Sequence, residues 1–310
     1  MNEFFAALFD PAVPFIRYAL LAGALSSAAF GIVGTYVTVK RISYIAGAIA
    51  HSVLAGIGLS LYLQAAYGLS WFTPILGASL AALVSAAAIG LVSMYARQRE
   101  DTVIGSIWAV GMAVGILFIA RTPGYVDAMS YLFGNILVVS REDLFLIAGL
   151  DLVVVTAGVL LYDQLVAVSF DAEFARVRGV RVPVYYMALL LLTALTVVLL
   201  TTIVGIIMVI ALLTIPPAVA GLFSGTMRRM MALATAFTLA FTVSGMGLSY
   251  VTDLPSGATI IVLAGSVYLL ATGVRGAVRR IGRRSRISSL ENGGAETGPG
   301  GVRTAGGGSR

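Results

Sequence analysis

Apolar runs close to twenty residues long recur along this chain, and their recurrence restricts its fold more than any other feature. LFLIAGLDLVVVTAGVLLY runs from Leu144 to Tyr162, and YYMALLLLTALTVVLL from Tyr185 to Leu200. A bilayer core about 30 Å thick is crossed by about 20 apolar residues of α-helix. A membrane β-barrel would instead show alternating strands of about 10 residues. Charged residues make up 11% of the 310 and hydrophobic residues 59%, whereas a soluble domain carries about 25% charged residues. The chain has too few charges to cover a water-facing surface. The expected fold class is all-α, a polytopic transmembrane helix bundle that forms a passage for a small solute.

Nine candidate spans fall at roughly 15–39, 42–63, 73–95, 102–120, 143–162, 184–202, 204–224, 230–250 and 257–274. The sixth and seventh are joined by TTIVGI with no polar loop, and Pro216-Pro217 interrupts the seventh. Proline frees backbone groups that need partners inside the protein, which makes this span a candidate for a broken or half-inserted helix. YLFGNILVVS, within 121–141, is too short to span and reads as a re-entrant or interfacial piece. The start MNEFFAALFDPAVPF has neither a basic region nor a cleavage site, so no removable signal peptide is expected. The chain has no cysteine, which excludes disulfides and thiolate metal sites.

Basic residues orient the bundle. Lys40-Arg41, Arg97, Arg99, Arg176, Arg178, Arg181, Arg228-Arg229 and the cluster from Arg275 to Arg286 fall on one side of nine spans. Arg17, Arg121 and Arg141 fall on the other. The first side is expected to be cytoplasmic, and the formal charge of +6 then reflects topology, not nucleic-acid binding. Residues 1–274 are expected to form the transmembrane domain. Residues 275–310 would be a basic, then Gly-rich, disordered cytoplasmic tail, whose arginines would be drawn to anionic membrane lipid.

His51 is the only histidine and lies in the second span, 10 residues after Arg41. That is about 15 Å of helix, near the middle of the core. An ionisable residue there is costly, and neutral imidazole is a common metal ligand. The alternative is a histidine hydrogen-bonded to a neighbouring helix. One histidine is a poor metal site, because zinc takes about four ligands; other helices or a second subunit would have to contribute. The longest polar segment between spans is DQLVAVSFDAEFARVRGVRVP, from Asp163 to Pro183. DAEFARVRGV within it reads as a short helix. Asp171 is placed to cap it, Phe174 and Val177 share a face, and Gly179 is placed to end it. Such a helix suits either the membrane surface or a partner's groove.

No G-x-x-x-x-G-K-[ST] motif is present, and the single lysine, Lys40, is not in a Gly-rich loop. The chain is therefore not expected to hydrolyse ATP by a P-loop mechanism. It also lacks HExxH and a G-x-S-x-G elbow, which disfavours a membrane enzyme.

LLAGALSSAAFGIVGTYVTVKRISYIAGAIAHSVLAGIGL resembles the first signature block of the ABC-3 permeases, the membrane subunits of bacterial zinc, manganese and iron ABC importers. DAMSYLFGNILVVS looks like their second block, and SFDAEFARVRGV is similar to their cytoplasmic coupling segment. TTIVGIIMVIALLTIPPAVAGLFSGTMRRM and LSYVTDLPSGATIIVLAG resemble the remaining blocks, in order. The resemblance runs from about Phe15 to Gly273. It implies a permease dimer, most simply a homodimer, a cytoplasmic ABC ATPase dimer and an extracytoplasmic metal-binding protein. The transported substrate would be a divalent metal, with no permanently bound cofactor. Asp171, Glu173, Phe174, Arg176, Arg178 and Gly179 would engage the ATPase. The family's first block reads G-D-A-x-S-H, and here Gly47 replaces the acidic residue four positions before His51. The site would then recruit Asp253, Asp127 or a backbone carbonyl, or take a different substrate. A hard-oxygen site favours manganese, and an imidazole site suits zinc or iron. Alternative readings are a permease for a metal chelate or other small solute, and a carrier driven by an ion gradient.

Overall fold

The structure is a computed structural model that describes residues 14–95, 100–124, 132 and 140–295. Within them run helices α1 (Pro14–Lys40), α2 (Ser43–Tyr67), α3 (Pro74–Tyr95), α4 (Glu100–Arg121), α5 (Arg141–Leu160), α6 (Tyr162–Phe170), α7 (Ala172–Val177), α8 (Val182–Val204), α9 (Ile206–Phe223), α10 (Met227–Thr252) and α11 (Ser256–Ala295). Among the described residues there is no strand. Eight helices (α1 to α5 and α9 to α11) contain stretches long and apolar enough to cross a membrane. In the ninth, α8, the qualifying apolar stretch is the shorter Val182–Val198. The expected all-α transmembrane bundle is therefore the fold observed. YLFGNILVVS lies almost wholly outside the described residues, as does the chain beyond Ala295. By internal contacts the chain divides into a unit ending at Tyr268 and a C-terminal unit from Leu269. The last helix continues through the basic stretch and past Ser285.

Lipid offers no hydrogen bonds, so polar groups must be satisfied within the protein. Many buried hydroxyls are satisfied along their own helix. Ser26 donates to the Ala22 carbonyl at 2.6 Å, Thr35 to Gly31 at 2.6 Å, and Thr193 to Leu189 at 2.8 Å. With no water to expel, helices associate in lipid through close packing. Where α2 crosses α3, Gly56 and Gly77 face each other, and a Cβ on either would overlap the other's carbonyl. The main core runs through α1, α2, α8 and α9, with Phe30, Tyr36, Ile49, Leu54, Leu189 and Val209 fully buried.

The α8–α9 junction falls within TTIVGI, as expected, but the seventh span is not broken at its prolines. Helix α9 runs unbroken through Pro216 and Pro217, and the interruption lies at Gly205. That residue has φ 86° and ψ 153°, a region open essentially only to glycine. Its N–H donates to the Thr201 carbonyl at 3.0 Å. One residue thus separates the two helices where no polar loop is available.

Two of the basic residues assigned to the cytoplasmic side meet the same helix. Lys40 Nζ, at the end of α1, donates to the Val168 carbonyl of α6 at 2.8 Å. The Arg228 guanidinium, at the start of α10, lies 4.9 Å from the Tyr162 ring centroid. The end of α1 and the start of α10 therefore both meet α6, at one end of the bundle.

Candidate metal-conducting site and coupling segment

Helix α2 carries His51 and is the most deeply buried of the eight. The ring nitrogen Nδ1 lies 2.9 Å from the carbonyl oxygen of Gly47, one turn earlier. A carbonyl can only accept, so Nδ1 carries the proton. In the neutral ring Nε2 then keeps its lone pair, the one ring position open to a ligand. The imidazole stacks on the indole of Trp108 from α4, with centroids 4.3 Å apart and planes at 22°. Tyr44, two turns before His51 on α2, meets the same indole at 5.6 Å. Three aromatic rings thus line one side of α2 from its first turn to His51.

Trp108 also accounts for Gly47. A Cβ built on Gly47 would lie 3.0 Å from Cζ3 of the indole and 3.3 Å from Cη2. The indole edge therefore crowds position 47, and any side chain there requires the ring to give by a few tenths of an ångström. The glycine and the tryptophan are complementary, and the imidazole is held by an aromatic face and a backbone carbonyl in place of a carboxylate.

Of the other sequence-predicted ligands, Asp253 is not placed beside it. Asp253 is exposed and closes α10 in a left-handed conformation (φ 55°), with its N–H donating to the Ser249 carbonyl. Helix α10 packs chiefly on α1 and α9, whereas His51 is on α2. Asp127 lies outside the described residues. Among the described residues no three His, Cys, Asp or Glu side chains come together as a metal cluster. Sequence reasoning passed over Asp151, which is buried in α5 with its Oδ2 lacking a hydrogen-bond partner among the described residues. A lone acid inside an apolar run was the available signal.

The coupling segment is built from local bonds. The Asp171 carboxylate accepts from the N–H groups of Glu173 (3.0 Å) and Phe174 (2.9 Å), capping α7. At the other end Gly179 adopts φ 83°. Its N–H donates to Arg176, and the N–H of Val180 to Ala175, both at 3.0 Å, which is a Schellman closure. Ala175 packs into a small cluster with Val168 and Val182 and so anchors α7 to α6 and α8. Phe174 and Val177 face outward, 56% and 86% exposed. The Arg178 guanidinium lies 5.2 Å from the Phe174 ring centroid. Glu173, Arg176 and Arg178 are exposed around this apolar pair.

Residues 12–275 match the sequence family described as "ABC 3 transport family". An uncharacterized membrane protein of Synechocystis sp. is 43% identical over 262 residues, covering 84% of this chain and 91% of that protein. The manganese transport system membrane protein MntC of Halalkalibacterium halodurans is 33% identical over 259 residues, covering 83% and 86%. Among solved structures, PsaBC from Streptococcus pneumoniae in complex with Fab superposes with a TM-score of 0.76 at 29% identity. The match covers 87% of this chain and 94% of the matched chain.

Proposed function

This chain belongs to the ABC 3 transport family, and we propose on that premise that it is the permease subunit of an importer for a divalent transition metal, with manganese ranked before zinc and iron. It is a multi-pass protein of the bacterial cytoplasmic membrane. The observation that carries the metal reading is His51, whose Nε2 lone pair sits inside the most buried span. The likeness to a manganese transport system membrane protein supports manganese, whereas an imidazole donor by itself suits zinc or iron.

One imidazole per chain holds a metal only if a second copy or a backbone carbonyl adds ligands, so a homodimer with its two His51 rings near the pathway is part of this reading. Weak ligation suits a conduit, because a cation held tightly would not leave. Energy comes from a separate ABC ATPase dimer that receives Phe174 and Val177 in an apolar groove, with Glu173, Arg176 and Arg178 as the polar rim. A metal-loaded extracytoplasmic protein delivers the substrate. ATP-driven closure then switches the permease between its two access states.

The test is metal uptake by the complex reconstituted with its ATPase and binding protein, with competing ions and with a chelated metal. ATP-dependent manganese uptake outcompeted only weakly by zinc and iron is expected. Preference for zinc or iron would reassign the metal, and uptake of the chelate alone would replace the reading.

A further inference from the structure

At the basic end, the ends of α1, α3 and α6, the starts of α2, α4 and α8, and α7 enclose an open cleft of about 500 Å³. Its wall carries Lys40, Arg41 and Arg176 together with Tyr44, Tyr95 and Tyr186. Among the described residues that line it, Asp101 is the one carboxylate. Among the described residues, three cations against one carboxylate, set in a concavity, focus a positive potential. A divalent cation is repelled there, so the cleft is not a second metal site.

The Lys40 side chain is held in place, and the backbone sets where the two arginines stand. Lys40 is fixed by the Val168 carbonyl at 2.8 Å and lies 6.0 Å from the Tyr186 ring centroid. Arg41 forms the α1–α2 corner with φ 62°, a left-handed conformation that is unfavourable for a residue with a long side chain. Its N–H donates to the Thr38 carbonyl at 3.2 Å. Arg176 stands in the last turn of α7. Among the described residues neither arginine forms an ion pair with Asp101. Guanidinium groups match phosphate oxygens in geometry and charge, and phenol hydroxyls add donors. The cleft lies where spanning helices end, which is the depth of lipid headgroups.

We propose that this cleft binds a phosphate-bearing anion that bridges Arg41 at the α1–α2 corner to Arg176 on α7. Its consequence for transport rests on the permease reading. The bound anion ties the coupling helix to α2, the helix that carries His51, so motion of α7 reaches the site. The phosphate comes either from an anionic phospholipid headgroup or from solution.

The test uses the full complex in nanodiscs of phosphatidylcholine with increasing phosphatidylglycerol, and in phosphatidylcholine alone with added inorganic phosphate. Bound lipid or phosphate is counted by native mass spectrometry, and metal uptake is followed in matched vesicles. The variants are Arg41→Asn, which removes the charge while tolerating the left-handed backbone, and Asp101→Asn, which removes the opposing charge. The expected result is a half-saturating anion level raised about 5-fold by Arg41→Asn and lowered by Asp101→Asn. A response to phosphatidylglycerol alone assigns the lipid, and a response in the phosphate arm assigns the soluble anion. Anion binding that neither substitution shifts overturns the proposal. Charge-dependent binding without any metal uptake would leave the cleft standing and sink the permease reading instead.

Discussion

The surroundings of His51 and the α6–α7 segment are organised by opposite means. Around His51 one polar bond, Nδ1 to the Gly47 carbonyl, is surrounded by rings and apolar helix faces. The α7 helix has only six residues, too few to be stable alone, and hydrogen bonds close it at both ends. The first region is fixed by the shapes of residues far apart in sequence, the second by neighbours within ten positions. Substitutions should therefore act differently in the two. A change of volume should damage the His51 region, and a change of capping chemistry should damage α7.

The largest stability effect is expected from Gly47→Asp, which restores the family's residue but drives its side chain into Trp108. Overpacking of this kind costs about 1–3 kcal/mol, read as a lower thermal midpoint of the purified complex. Gly47→Asp combined with Trp108→Ala should lose less than the sum of the single changes. Strict additivity would separate the two residues and break the complementarity argued for them.

Next comes Gly179→Ala, which forces a Cβ into a left-handed backbone at a cost of about 1–2 kcal/mol. Here the expected readout is weaker stimulation of the ATPase by the permease, with metal binding retained. Asp171→Ala removes the N-cap at a cost of about 1 kcal/mol and should give a milder form of the same uncoupling, largely rescued by Asp171→Asn. Normal stimulation in both would detach α7 from the ATPase.

The smallest effect is spectroscopic. The chain has two tryptophans, so Trp71→Phe leaves Trp108 as its only indole. For the permease alone, His51→Ala should alter the Trp108 emission, while Asp171→Ala should not. An emission change in the second variant and none in the first would reverse the assignment of the two regions.

The same contrast explains what the sequence disclosed. Caps are local, and Asp171 and Gly179 could be read from their spacing to the helix between them. Spans were legible because lipid permits almost nothing else. The α8–α9 junction was legible at TTIVGI and falls at Gly205 within it, whereas the break expected at Pro216-Pro217 is absent, because a helix can pass through proline when the freed backbone groups are buried in protein. The partner of His51 was not legible. Gly47 signalled a missing side chain, but nothing in one sequence pairs that gap with Trp108 on another helix. The site was therefore read as lacking a carboxylate, when it is also a site crowded by an indole.

The central claim is that metal passes His51 under the drive of a separate ATPase. The direct measurement is ATP-dependent manganese uptake by the reconstituted complex, wild type against His51→Ala. Uptake is expected to fall at least about 10-fold while complex assembly and ATPase stimulation persist. Unchanged uptake in the variant would contradict the account.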